Sequence, residues 1–92
     1  MQSKPTEILE LERIYNIKID ELFGGNPMQM SDRNTYQLNQ RGAIIGLNLS
    51  KNLIYEIAGL EELVELRFLF LNYNQITKIE GLENLSKLVI LN

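Results

Sequence analysis

Hydrophobic and polar positions in the second half of this chain recur every 22 residues. Ile44, Leu47, Leu49, Asn52, Ile54, Ile57, Gly59, Leu60 and Leu63 are followed one period later by Leu66, Leu69, Leu71, Asn74, Ile76, Ile79, Gly81, Leu82 and Leu85. The units 44–65 and 66–87 align without a gap and share nine identical positions, nearly all aliphatic, Asn or Gly. A partial third unit, 88–92, places Leu88 and Leu91 in the same register. Within each unit, Leu47/Leu49 and Leu69/Leu71 alternate with other residues, the spacing of a strand with one face turned inward. A strand this short is unstable alone. Stacking successive units at the sheet spacing of about 4.8 Å pairs their backbones and merges their leucines into one core.

The remaining aliphatic positions close each coil. Ile54, Ile57, Leu60 and Leu63, with Ile76, Ile79, Leu82 and Leu85, are spaced by three, which suits tight or irregular turns better than a regular helix. Gly59 and Gly81 permit the bend into that side. Asn52 and Asn74 follow the strands, where the chain turns inward. Their amides either bond the unpaired backbone of adjacent coils as a ladder or sit as solvated turn residues. Their common register with the leucines favours the ladder.

Residues 1–34 do not fit the repeat. From Thr6, read as an N-cap, Ile8, Leu11, Ile14 and Tyr15 recur at helical spacing and predict a helix over about 6–15, ended by Asn16 in a left-handed conformation. Ile17 and Ile19 read as a short extended piece and residues 20–23 as a single turn. Gly24, Gly25, Asn26 and Pro27 break the chain, and 28–34 reads as a loop. Two strand-like runs, 35–38 and 43–49, flank Asn39–Gly42, where Gly supplies the positive φ of a turn with a bulge; this predicts a hairpin over about 35–49. Repeat stacks expose apolar interior at their ends and need caps, so residues 1–43 are assigned as an N-terminal cap. A separate functional domain in 1–34 is the alternative. The other end has no counterpart. Leu88 and Leu91 would face a missing coil, which predicts either a fragment of a longer array or end-to-end association into a homo-oligomer.

The outward residues of the strands are Gly46, Asn48 and Ser50, then Phe68, Phe70 and Asn72, with Ile90 and Asn92 beginning the third and Arg67 and Tyr73 flanking the second. Two phenylalanines on a solvent-facing strand are the oddity here. Either they pack on flanking side chains, or Arg67, Phe68, Phe70, Asn72, Tyr73 and Ile90 form a partner-binding surface with a contiguous apolar patch at Phe68, Phe70 and Ile90.

Composition narrows the chemistry. The 92 residues carry nine Lys and Arg against twelve Asp and Glu, a net charge of −3. That balance argues against a nucleic-acid or anionic-membrane binder. With neither Cys nor His, disulfides, thiolate nucleophiles, zinc–thiolate sites and imidazole bases are removed together. No phosphate-binding glycine loop and no calcium-loop spacing occurs. The glutamates at 7, 10, 12, 61 and 62 read as solvated faces. The sequence therefore predicts no catalytic, cofactor or metal site, and so no enzyme. No run is long and apolar enough for a leader or a membrane span, and a cytoplasmic location is expected.

The stretch Asn74–Leu85 and the wider pattern over 44–91 resemble 22-residue leucine-rich repeats of the kind found in internalins and in a regulatory subunit of type 1 protein phosphatase. The resemblance implies an α/β solenoid, a horseshoe fragment with parallel strands, that binds a protein partner on its concave side. The front end, Ile8–Leu22 followed by Tyr36–Leu38 and Gly46–Leu49, looks like the cap of intracellular bacterial repeat proteins, the Roco GTPases among them. That likeness implies a second reading, the N-terminal regulatory or sensing segment of a larger multidomain enzyme. The first reading is a non-catalytic protein-interaction module.

Overall fold

In a computed structural model of the chain, the described residues are 4–22, 33–49, 53–77 and 80–91. Asn52, Ser50, Ile79 and Asn92 lie outside them, and Ile90 and Leu91 enter through their backbone alone. The elements are α1 (Thr6–Tyr15), β1 (Asp20–Glu21), β2 (Thr35–Leu38), β3 (Ile44–Asn48), β4 (Phe68–Phe70) and β5 (Ile90–Leu91). The strands form one sheet in chain order, β1-β2-β3-β4-β5.

The 22-residue period is written into the sheet register. Gly46, Leu47 and Asn48 of β3 lie parallel to Phe68, Leu69 and Phe70 of β4, and Phe68 and Leu69 lie parallel to Ile90 and Leu91 of β5. Every partner is one period away. Backbone bonds extend the ladder at both ends: Arg67 N donates to Ile45 O at 2.9 Å, Leu49 N to Phe70 O at 2.9 Å, and Val89 N to Arg67 O at 2.8 Å. A one-residue slip would turn Leu47, Leu49, Leu69 and Leu71 away from the core, so apolar burial fixes this register. All four are buried in a single cluster with Ile54, Ile57, Leu60, Leu63 and Leu66.

Beyond the strands the coil closes by short steps. Leu63 N donates to Leu60 O and Leu66 N to Leu63 O; one period on, Leu85 N donates to Leu82 O and Leu88 N to Leu85 O, all at 3.0–3.1 Å. Such i→i+3 closures are what a spacing of three produces, since side chains three apart then fall on one side. Between strand and closure, Asn74 joins the two coils. Its Nδ2 donates to Leu49 O at 2.8 Å and Leu71 O at 3.0 Å, and its Oδ1 accepts from Ile54 N at 3.1 Å. One side chain thus satisfies three backbone groups that the turn takes out of the sheet ladder.

Helix α1 packs on the closing side of the first coil. Pro5 occupies the N-cap position with no side-chain cap bond, and Thr6 is already helical. This corrects the assignment of Thr6 as N-cap: Pro5, with φ −56 and ψ 145, makes the entry, and its carbonyl accepts from Ile8 N and Leu9 N. At the other end, Asn16 adopts φ 54 and ψ 50. Ile8 and Leu11 are fully buried in the common core. Tyr15 fastens the helix to the coil, its hydroxyl accepting from Ala58 N at 2.8 Å and lying 2.9 Å from Glu56 O. Burial pushes that hydroxyl's pKa up, which keeps it protonated to donate.

A second correction concerns residues 20–23, expected as a single turn. Asp20 and Glu21 form a strand parallel to β2, opposite Thr35 and Tyr36. The cause lies in what precedes them: Glu12 Oε2 accepts from Ile19 N at 2.8 Å while Lys4 Nζ donates to the same oxygen at 2.6 Å. This clamp holds Ile19, fully buried, in extended line with the sheet, and Asp20 N then donates to Asn34 O and Leu22 N to Tyr36 O. β2 runs antiparallel to β3, with a bulge between Gln37 and Leu38. The intervening turn is built by Asn39, whose Oδ1 accepts from Arg41 N and Ala43 N, and by Gly42 at φ +83.

The two coils are not equally enclosed. Ile54 and Leu60 of the first are buried, whereas Ile76 and Leu82, one period later in the second, are only partly so. The first coil lies between α1 and the second coil; the second has the first coil on its β3 side and the short strand β5 on the other.

Gly59 and Gly81 both sit in the left-handed region, at φ +81 and +82. A Cβ on Gly59 would lie 3.0 Å from both Leu11 Cδ2 and Ile14 Cδ1, whereas one on Gly81 would meet only Glu61 Oε1 at 3.6 Å. Gly81→Ala is expected to cost about 1–2 kcal/mol, the left-handed penalty. Gly59→Ala should cost about 1 kcal/mol more, because Leu11 is locked in the core. Urea unfolding of both variants measures the difference.

Glu12 makes a pH prediction. Burial acts to raise its pKa, but the Ile19 N–H and the Lys4 ammonium outweigh it, and the carboxyl titrates below its ordinary 4.5. A lowered folded-state pKa contributes stability that is present above the unfolded value and is lost as pH falls through the folded value. Glu12→Gln should therefore cost about 1 kcal/mol at neutral pH and flatten the decline below about pH 4.5. Thermal melts of both proteins across pH 2–7 test this.

Candidate functional site

The pleat sends Leu47 and Leu69 into the core and Thr35, Gln37, Gly46, Asn48, Phe68 and Phe70 to the opposite face. Two rows cross the strands on that face. Thr35, Asn48 and Phe70 make one; Gln37, Gly46 and Phe68 make the other, and Ile90 is the register partner of Phe68.

The first row is closed. Thr35 and Asn48 are buried and Phe70 is only 4% exposed, although it does not belong to the aliphatic cluster behind the sheet. Asn48 Nδ2 donates to Arg33 O at 3.4 Å. The ring of Phe70 borders a residual cavity of ≈ 20 Å³, shared with Leu22, Gln37 and Gly46, which is about the room one water needs. A contiguous exposed patch over Phe68, Phe70 and Ile90 is thus not available at Phe70. Gly46 lines the same small cavity as Phe70.

The second row is more open. Phe68 is half-buried, Gln37 likewise, and Arg67 beside them is exposed. At the end of β4, Asn72 is half-buried and its Oδ1 is a buried acceptor with no hydrogen-bond partner among the described residues. Tyr73 follows, 72% exposed and held at φ +60, a conformation that costs a non-glycine residue about 1 kcal/mol or more. Of the six residues singled out from sequence, the structure places Arg67, Phe68, Asn72 and Tyr73 along β4 with surface to offer, Phe70 within the fold, and Ile90 at the next position of Phe68's row.

Electrostatics on this rim centres on Glu65. Its carboxyl accepts from Lys87 Nζ at 2.8 Å across one period, and Lys87, then Arg41 and Arg67, hold its pKa below the usual range. Lys87, Arg41 and Arg67 thus gather about Glu65 at this rim. Among the described residues, no group of three or more acidic, His or Cys side chains is placed to hold a metal ion, and no helix is long and apolar enough to cross a membrane.

A short-coil stack with a parallel ladder at 22-residue register fits a solenoid fragment. Residues 44–84 match the family described as leucine-rich repeats, in two copies, which supports a leucine-rich repeat protein. Comparison with curated proteins and with solved structures finds no match. Repeats of this class are typically non-catalytic and generally mediate protein–protein interaction.

The two phenylalanines should separate in a melt. Phe70→Ser removes a ring buried at 4% and is expected to cost about 3–5 kcal/mol, the range of large-to-small core substitutions. Phe68→Ser should cost under about 1.5 kcal/mol, since part of that ring is already in solvent. Equal losses would place both rings within the fold.

Proposed function

We propose that the chain is a protein-interaction module whose outer sheet face, the concave side of the coil, receives a protein partner along β4. Residues 4–43 act as the cap of the stack, with β2 covering the edge of β3 and α1 covering the closing side of the first coil. The binding residues are Arg67, Phe68, Asn72 and Tyr73, with Ile90 continuing the row of Phe68; Phe70 supports them from beneath.

One observation carries this reading. A half-open aromatic ring and a buried amide oxygen without a donor, Phe68 and Asn72 Oδ1, share one short strand and its exit. An acceptor left unpaired costs about 1–3 kcal/mol; because the oxygen is closed to solvent, a partner's N–H removes that deficit only when the Asn72 side chain turns outward. Phe, Tyr and Arg are also the side chains interface hot spots favour. The β5 side, where Ile76, Leu82 and Leu88 are incompletely covered, is in the same proposal the place where a second copy or further repeats would stack.

A photo-crosslinking residue introduced in place of Phe68 tests the reading in cells that produce the protein. A discrete crosslinked partner is expected from position 68, and none from position 9 on the far side of α1. The crosslink should weaken at least about tenfold when Asn72→Leu is added, with the melting temperature kept. Crosslinks that survive Asn72→Leu, or that form equally at position 9, overturn the proposal.

A further inference from the structure

A trough runs along α1, between the helix and the part of the first coil that closes the core. Three linked cavities compose it, of ≈ 210, ≈ 400 and ≈ 490 Å³. The first two share Glu7 and Glu62, and the last two share Ile14. Its length is that of the ten-residue helix, about 15 Å.

The lining has two parts. Exposed apolar side chains come from both walls: Ile14 from the helix, Leu53, Tyr55 and Val64 from the coil. Leu53 is 66% exposed and Tyr55 64%. Leu53 is moreover held at φ +56, where Gly or Asn would be less strained. Neither the backbone nor solvent favours a leucine there. The second part is acidic. Glu7, Glu10, Glu56, Glu61, Glu62 and Glu65 stand along the trough, and no Lys or Arg is among its described lining residues. Of these six, Glu10 and Glu65 are ion-paired among the described residues, with Arg13 and Lys87. Lys4, adjacent in sequence, is drawn to Glu12 instead. Glu7 gains from the helix N-terminus; Glu56, Glu61 and Glu62 have no ion pair among the described residues.

We infer that this trough binds a basic, amphipathic segment of another protein, its aliphatic side chains against Leu53, Tyr55 and Ile14 and its lysines or arginines against Glu7, Glu61 and Glu62. Charge complementarity selects the occupant: nucleic acid and acidic lipid are repelled, and a neutral apolar peptide would leave the carboxylates unanswered. The surface is separate from the sheet face around Phe68, so one chain can hold two segments at once.

Selection of 16-residue peptides from an unbiased display library on the whole chain tests the inference. Peptides with aliphatic residues one helical turn apart and a positive net charge should be enriched. Their affinity, read by fluorescence anisotropy, should fall at least about tenfold in the Glu61→Lys/Glu62→Lys double variant and by a similar factor in Tyr55→Ser, while Phe68→Ser leaves it unchanged. Circular dichroism checks that each variant stays folded. Enrichment of neutral or acidic peptides, no enrichment, or binding lost in Phe68→Ser and kept in Glu61→Lys/Glu62→Lys overturns it. Equal affinity for a peptide with the same composition in scrambled order shows charge attraction without a site, and overturns it too.

Discussion

Everything in this molecule depends on backbone pairing between segments 22 residues apart. A three-residue strand such as Phe68–Phe70 has almost no stability of its own, because fixing each residue costs about 1–2 kcal/mol of conformational entropy. Pairing with β3 on one side and β5 on the other supplies the hydrogen bonds, and the register that pairing enforces places Leu69 and Leu71 beside Leu47 and Leu49. Ladder and core are therefore one device. Neither forms without the other, as nearest-neighbour stabilisation of repeat arrays requires. Asn74 extends the logic past the strand: it bonds Leu49 O, Leu71 O and Ile54 N, so the coil can turn without stranding polar backbone.

That dependence explains what β2 and α1 do for the first coil. A coil needs a neighbour on each side, and the first coil has the second on only one. The other is supplied by dissimilar pieces. β2 bonds to β3 antiparallel and contributes Tyr36 to the core; α1 contributes Ile8 and Leu11. Gly59 records how close the helix comes, since Leu11 and Ile14 occupy the space a Cβ would need. The consequence is visible in burial: Ile54 and Leu60 are sealed, and their equivalents Ile76 and Leu82 are not.

The parts legible from sequence are those that the period determines. Leu47, Leu69, Gly59, Gly81 and Asn74 each appear at fixed intervals, and periodicity converts directly into register. What was not legible depends on single tertiary bonds. Residues 20–21 become a strand because Glu12, eight positions back, clamps Ile19; no local pattern encodes that. Pro5 takes the N-cap from Thr6 because the chain enters the helix extended, a geometry set by packing. Phe70 is buried on a face that alternation marks as outward, beside Leu22, Thr35, Gln37, Gly46 and Asn48. The sequence signal for this was Gly46, one period before Phe68. A glycine in a strand vacates space that a nearby large side chain can use.

The same contrast bears on where partners bind. Burial of Phe70 withdraws half of the aromatic surface that strand alternation would award to the sheet, leaving Phe68 with Asn72 Oδ1. On the opposite side, leucine and tyrosine at positions 53 and 55 lie in solvent beside carboxylates. The repeat unit does not need large side chains there: its second copy has Gln75 and Thr77 at the same positions, and both keep their backbone bonds to the first coil. Fold stability therefore cannot account for Leu53 and Tyr55. A side chain that the repeat does not require, in a conformation that the backbone disfavours, is kept for contact with something outside the coil.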